Sequence, residues 1–296
     1  MQKTKLLAYI EAIFSVVVWG GTFIATKIAL REVSPPTIVW LRFAMGIVVL
    51  GIAVFARKQF AWPEKNEWLY LALLGFLGVA LHQWLQATGL QTAKATTTAW
   101  IVATTPIFIA ILSWLVLKEK LNWIQICGII VAAFGVLLIV SQGNFGAFFA
   151  GQAATFGDLL IFFSALNWAV YTILSRRELA RHPAARMMFF VMILGWLFIS
   201  IWIFGFGPGL SEISHLTSNG WGAILILGIF GSGLAYIAFY DALQALPASQ
   251  LGVFYNIEPL VTAVLAAVMI GEALTLISLT SGAIIIFGVW LVNRKG

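Results

Sequence analysis

The chain has 296 residues, of which 61% are hydrophobic and only 9% charged, and its mean hydropathy is +1.00. That composition excludes an ordinary soluble domain. The formal net charge of +6 does not point to nucleic acid, because the charges gather at the ends of apolar stretches, and a single cysteine, Cys127, excludes an intrachain disulfide.

A helix needs about 20 mostly apolar residues to cross about 30 Å of hydrocarbon. Ten stretches qualify, at 7–30, 36–56, 68–90, 95–116, 123–140, 156–175, 187–206, 221–243, 248–270 and 275–292. Met1 to Lys5 followed by an apolar run superficially resembles a signal peptide. The run is long, however, carries Glu11 and lacks a clear small-residue cleavage site, so it reads as the first span. That span holds Trp19 near its middle and ends at Lys27 and Arg31, which look like anchors. The second carries Arg42 about six residues below its outer end. The third holds Gly75 and Gly78, then His82 and Gln86, which are four apart and share a helix face. The fourth carries Trp100 and Pro106 and ends near Glu119. After the fifth, 141–155 is a loop that can join two halves. The sixth begins near Asp158 and holds Asn167, Trp168 and Tyr171. The eighth holds Gly228, Gly231 and Gly233, then Tyr236, Tyr240 and Asp241. The ninth holds Asn256, Glu258 and Pro259 and is followed by Glu272.

The two halves repeat each other. Adding 153 takes Trp68 to Trp221, Gly75 to Gly228, Gly78 to Gly231, Leu90-Gln91 to Leu243-Gln244, Pro106 to Pro259, Glu119 to Glu272 and Gly135 to Gly288. Earlier in each half the offset is 149, taking Ser15 to Ser164, Trp19 to Trp168 and Gly46 to Gly195. The repeats are assigned to 1–145 and 146–296. Five spans per copy, an odd number, force the copies into opposite orientations across the bilayer. The expected fold is therefore all-α and polytopic, with ten transmembrane helices as two inverted five-helix repeats around a central cavity. Inverted repeats typify secondary transporters, whose site lies near the midplane between the copies.

Lys and Arg set the orientation. With the N-terminus inside, thirteen of the seventeen fall on inner segments, and only Lys27, Arg31 and Lys94 on outer ones, with Arg42 inside a span. The bias predicts a multi-pass protein of the cytoplasmic (inner) membrane with both termini in the cytoplasm.

Several landmarks together resemble the EamA-type members of the drug/metabolite transporter superfamily. They are Ser15-Val16-Val17-Val18-Trp19-Gly20-Gly21-Thr22-Phe23, Pro35-Pro36 with Trp40-Leu41-Arg42-Phe43, Gln86-Ala87-Thr88-Gly89-Leu90-Gln91, and Thr105-Pro106 with Lys118-Glu119-Lys120-Leu121. The second half repeats the last two as Tyr240-Asp241-Ala242-Leu243-Gln244 and as Glu258-Pro259 with Gly271-Glu272-Ala273-Leu274. The resemblance spans nearly the whole chain. It implies two inverted five-helix repeats and export of small metabolites, often amino acids. Where the Arg42 motif would recur, Met188-Phe189-Phe190 carries no arginine, so any role of Arg42 is not duplicated.

Polar residues deep in a span are costly and are functional candidates by default. Glu258 lies about ten residues into its span, near the midplane. It reads either as a contact for a substrate ammonium or carrier of a coupling proton, or as a glutamate stabilising a kink. Pro106 and Pro259 are expected to kink their helices and free a carbonyl each. Arg42 either holds a substrate carboxylate or snorkels to the outer headgroups. His82 and Gln86 either line the cavity, with His82 relaying protons, or pack as neutral core groups. Most of the thirteen tryptophans belong to interface belts, among them Trp62, Trp68, Trp123, Trp221 and Trp290. Trp19, Trp100, Trp168, Tyr171, Tyr236 and Tyr240 are deep enough to line a cavity. Asn167 and Asn256 are deep hydrogen-bonding groups in need of partners. Glu119, Glu272, Asp158 and Asp241 read as capping or hinge residues. The five glycines listed with their spans suit close helix packing and sliding.

No Walker loop, dinucleotide fingerprint, His-Glu-x-x-His or Gly-x-Ser-x-Gly motif occurs. No cofactor is expected, and no metal, since His82 has no companion at ligand spacing. The expected function is export of small metabolites, most of all amino acids, by alternating access, either proton-driven or by facilitated diffusion. The partners are an amino-acid-like substrate, the lipid bilayer and protons, with no nucleic acid. A multidrug or other metabolite exporter on the same fold is the alternative. An intramembrane lipid-modifying enzyme would need a clustered nucleophile or a His/Asp pair, which the sequence does not display.

Overall fold

A computed structural model describes residues 5–117, 121–150, 154–179, 181–246 and 254–293. Among the described residues every regular element is helical, and nine helices are long and apolar enough to cross a membrane, with a tenth, shorter apolar helix beside them. They are α1 (Lys5–Ala29), α2 (Pro35–Ala56), α3 (Trp68–Gly89), α4 in two pieces (Ala95–Val102 and Thr105–Leu117), α5 (Trp123–Val140), α6 (Phe156–Leu179), α7 (Ala184–Gly205), α8 (Ser218–Leu225 through Ala235–Ala245), α9 (Ile257–Met269) and α10 (Leu276–Asn293). The ten sequence-derived spans correspond to these helices, except that 248–253, the start of the ninth, lie outside the described residues. Large apolar side chains such as Ile52, Leu69, Ile130, Ile201 and Val268 stand exposed on their outer faces. Only a hydrocarbon solvent makes such a surface stable. The protein is a polytopic membrane protein.

Cross-helix contacts give the directions. α1 runs antiparallel to α8, since Ser15 Oγ donates to the Ala235 carbonyl and Trp19 Nε1 to that of Gly231. α8 is parallel to α2, with Gly228 against Met45 and Gly233 against Val49. α2 is antiparallel to α7, where Trp40 Nε1 donates to Ser200 and Gly51 faces Phe189. α7 is parallel to α3, with Phe190 against Trp68, Phe198 against Phe76 and Trp202 against Trp84. α3 is antiparallel to α6, joined by Tyr70 to Leu174 and His82 to Ser164. Followed through, this chain of neighbours makes α1 and α6 run in opposite directions. Helix pairing also survives exchange of the halves. α1–α8 matches α6–α3, α2–α8 matches α7–α3, and α1–α9 matches α6–α4, while α2–α7, α4–α9 and α5–α10 map onto themselves.

The helices break where the backbone must bend. α3 contains π-helical turns at Phe76–Leu81 and α8 at Ile226–Leu234, positions related by the repeat. In such turns an amide reaches back five residues, and the Leu77 carbonyl, which accepts from the His82 amide in this way, also accepts from Asn167 Nδ2 at 2.7 Å. α4 is interrupted at Ala103-Thr104, and the segment before Ile257 is a turn at Tyr255-Asn256. The expected kinks at Pro106 and Pro259 are thus breaks that fall just upstream. Each proline sits in the first turn of the following helical piece, where its missing amide costs nothing. The Thr105 hydroxyl takes up the Val102 carbonyl that Pro106 leaves free, and the Thr104 hydroxyl joins its own amide on the Ile101 carbonyl, each hydroxyl at 2.6 Å.

Three carboxylates stitch one end of the bundle, and each caps a helix start on another hairpin. Glu272 accepts from the Ala95 and Thr96 amides at the start of α4 and lies 3.8 Å from Lys27 Nζ. Glu212 accepts from the Ser34 amide and hydroxyl and the Thr37 hydroxyl at the start of α2. Glu32 accepts from the Thr217 amide and hydroxyl before α8. Helix starts leave amides unsatisfied, and a carboxylate there also complements the helix dipole. The capping expectation thus suits Glu272, and Asp158, which accepts from the Thr155 amide and hydroxyl. It fails for Asp241, which instead forms a two-pronged ion pair with Arg57 across α2 and α8, 2.7 Å in each arm. Glu119 lies outside the described residues.

Candidate functional site

The interior between α1, α2, α3, α6, α8 and α9 carries two linked aromatic groups. In one, Trp19 stands 5.4 Å from Tyr236, 5.1 Å from Phe239 and 6.1 Å from Tyr255, the last nearly parallel. In the other, Trp168 stacks on Tyr171 at 4.8 Å and on the His82 ring at 4.7 Å. Tyr171, Tyr236 and Tyr240 are buried in one core cluster, against which Trp19, Trp168 and Phe239 pack. The repeat-related tryptophans therefore occupy equivalent places in the two groups.

Arg42 is turned inward and is 6% exposed. The snorkelling reading does not hold: the guanidinium donates through Nε to Ser232 Oγ at 3.0 Å and through Nη1 to Gln83 Oε1 at 2.9 Å. Phe43 adds its ring face, 5.3 Å from the guanidinium carbon. No carboxylate pairs with it among the described residues. Arg42 keeps its proton, so a full charge is held inside by neutral groups alone.

Glu258 is 7% exposed, in the first turn of α9. Among the described residues no cation pairs with its carboxylate. Its own carbonyl accepts from Thr262 Oγ1, which also donates to the Gly20 carbonyl and so ties α9 to α1. A Cβ on Gly20 would lie 2.7 Å from the Glu258 carbonyl oxygen, so only glycine permits this approach. Tyr236 lies within electrostatic reach of both Arg42 and Glu258, and among the described residues these two groups are not joined to each other.

His82 Nδ1 is 3.1 Å from the Ser164 carbonyl. A carbonyl only accepts, so Nδ1 carries the hydrogen and Nε2 is left as an acceptor. Asn167 is engaged with Leu77, as above. Asn256 is half-buried at the start of α9 without a capping bond from its side chain. Gln86 is half-buried one turn beyond His82, and no described contact brings it to the rings. Trp100 is elsewhere. Its ring is 1% exposed and fills the space left by the absent side chain of Gly282, in a core shared with Ala132 and Ile285 of α5 and α10. It is a packing residue, not a wall of the aromatic interior. Sequence reasoning missed Gln83, Ser232, Phe239 and Tyr255. Gln83 was legible as a polar residue next to His82 at the depth of Arg42. Ser232 was hidden among glycines.

The family model of the EamA-like transporter family matches this chain twice, over residues 6–141 and 155–294. The chain belongs to that family and is a transporter of the drug/metabolite type. A relative from Archaeoglobus fulgidus, described as an uncharacterized transporter, is 30% identical over 293 residues, covering 99% of this chain and 98% of that one. The uncharacterized transporter YyaM of Bacillus subtilis is 27% identical, covering 91% of this chain and 88% of its own length. A protein of known crystal structure shares the fold, with a TM-score of 0.69 at 19% identity over 96% of this chain and 97% of that one.

Proposed function

We propose that the protein exports small zwitterionic metabolites, amino acids foremost, across the cytoplasmic membrane by alternating access. The observation that carries this reading is the pair of buried ionisable groups of opposite kind, Arg42 and Glu258, which no described ion pair joins and which both interact electrostatically with Tyr236. A buried charge without a counter-ion is costly, and an amino acid offers a carboxylate for one and an ammonium for the other. The rings of Trp19, Phe239, Tyr255 and Trp168 supply an apolar wall for its side chain. Alternating exposure is by rocking of the halves at the breaks in α4 and α9. Glu258, or His82 through its free Nε2, is the group to carry a coupled proton.

The test is uptake of a radiolabelled amino-acid panel into liposomes holding the purified protein, with and without an imposed pH gradient at clamped membrane potential. Saturable uptake of some members, lost in both Glu258→Gln and Arg42→Ala, supports the reading, and a response to the gradient adds proton coupling. Uptake of lipophilic cations that needs Glu258 but not Arg42 supports the multidrug alternative instead. No amino-acid uptake by inserted, folded protein overturns the proposal.

A further inference from the structure

Where α3 begins, its side meets the end of α6 and the middle of α7 in a cavity of about 600 Å³, a size suited to a bound small molecule. The lower wall is apolar. Leu69 is 83% exposed and Leu73 and Phe198 are 42% and 38% exposed, so the cavity opens on the face that meets lipid tails. The rim is charged, with Glu67, Glu178 and Arg181 lining it. Trp62 and Trp68 stack near this end and mark the depth of the headgroups.

One rim atom lacks what it needs. Glu178 is 3% exposed although it lines the cavity, and its Oε2, shut off from solvent beneath the rim, accepts no hydrogen bond among the described residues. His182 Nε2 is 3.6 Å away, but its hydrogen goes to Glu67 Oε1 at 2.5 Å. Arg186 Nη1 donates to His182 Nδ1 at 2.7 Å, which fixes the imidazole as a donor at Nε2. For the same reason the trio Glu67, Glu178 and His182, though within 4.8 Å of one another, is a poor cation site: the nitrogen that faces the carboxylates carries a hydrogen and has no free lone pair. A buried carboxylate oxygen without a donor is costly.

We infer that this cavity binds a phospholipid with a primary ammonium headgroup, of the phosphatidylethanolamine type. The ammonium meets the Glu178 carboxylate, whose buried Oε2 turns to the cavity to accept its hydrogen, Arg181 meets the phosphate, and one acyl chain lies along Leu69, Leu73 and Phe198. The charge pattern of the rim, acid beside base, complements that zwitterion. Choline headgroups have the charge but no N–H to give, and glycerol headgroups have no positive charge. The inference is independent of the transported substrate.

The experiment reconstitutes the full chain into nanodiscs of equal parts phosphatidylethanolamine, phosphatidylcholine and phosphatidylglycerol, then measures co-purifying lipid by native mass spectrometry. The expected result is an enrichment of phosphatidylethanolamine of about tenfold, the worth of one hydrogen bond to a charged group, that falls to near unity in Glu178→Gln. Leu73→Trp, which fills the wall without touching the rim, is expected to lower retention of all three lipids. Equal retention of the three by the wild type overturns the proposal, as does preference for phosphatidylglycerol or an undiminished preference in a folded Glu178→Gln. Binding of soluble phosphoethanolamine as tight as that of the lipid overturns the assignment to a lipid, and stoichiometric Mn²⁺ binding at the trio overturns the donor argument.

Discussion

Arg42 illustrates how much a single side chain decides. Its partners, Gln83 Oε1 and Ser232 Oγ, are buried acceptors with no other described donor. Arg42→Ala leaves both unsatisfied and is expected to destabilise the protein by about 1–3 kcal/mol, read as a lower melting temperature in detergent, in addition to its effect on flux. Arg42→Lys restores the charge but not the fork, so it is expected to recover stability only in part. Glu258→Gln keeps the shape of the side chain and, with no described ion pair to lose, is expected to abolish transport while leaving insertion and melting near those of the wild type. A mutant with normal flux would remove Glu258 from the mechanism. The sequence pointed to Arg42 and Glu258 because a charge inside an apolar run is visible in any reading. It did not reveal their partners. Gln83 and Ser232 become neighbours of Arg42 only because α3 and α8 both approach α2, a long-range fact that no local pattern carries. Trp100 failed for the converse reason: depth in a span does not say which way a ring points, and the gap that receives it is made by Gly282, far away in sequence.

At the scale of helices, close approach is set by residues without side chains. A Cβ on Gly78 would lie 2.5 Å from the Tyr171 ring. The ring is buried and cannot yield freely, so Gly78→Ala is expected to cost about 1–3 kcal/mol by overpacking and to weaken stacking on Trp168, read as a fall in melting temperature and a change in near-ultraviolet circular dichroism. The capping carboxylates make a prediction in pH. Partial burial pushes the Glu212 carboxyl up, but the Thr37 hydroxyl and the Ser34 amide and hydroxyl pull it down further, and it ends below its ordinary value of 4.5. For Glu32 the Thr217 hydroxyl and amide likewise lower it. A carboxyl held low in the folded state stabilises fully above its unfolded value and loses that contribution as pH falls through its folded value. Melting temperature is therefore expected to be insensitive to these groups from neutral pH down to about 4.5 and to fall below that. Glu212→Gln should flatten its share of the fall. Span positions were legible to within a few residues because length and hydropathy fix them. The break positions were not, since proline tolerates a helix start as well as it disrupts a helix middle.

For the whole molecule, the opposed directions of α1 and α6 follow from the packing, and the odd span count had already required them. The bilayer orientation is a separate matter and has a direct check. Cys127 is the sole cysteine, so Cys127→Ser gives a cysteine-free background. A cysteine at Lys65 is expected to react with a membrane-impermeant maleimide only after permeabilisation of cells, and one at Lys94 without it; the reverse result would turn the protein over. The main helix pairings are kept when the halves are exchanged, and this has a consequence for energetics. A state open to one side and its mirror image open to the other are built from nearly the same set of contacts, so their free energies are close by construction. Whatever tilts that balance must come from residues that the repeat does not copy. Arg42 has no arginine as its counterpart, where the other half reads Met188-Phe189-Phe190, and Glu258 corresponds at an offset of 153 to Thr105. The resting preference for one face is then written in the side chains that the repeat does not copy, while the direction of net flow follows the gradients of substrate and coupled proton.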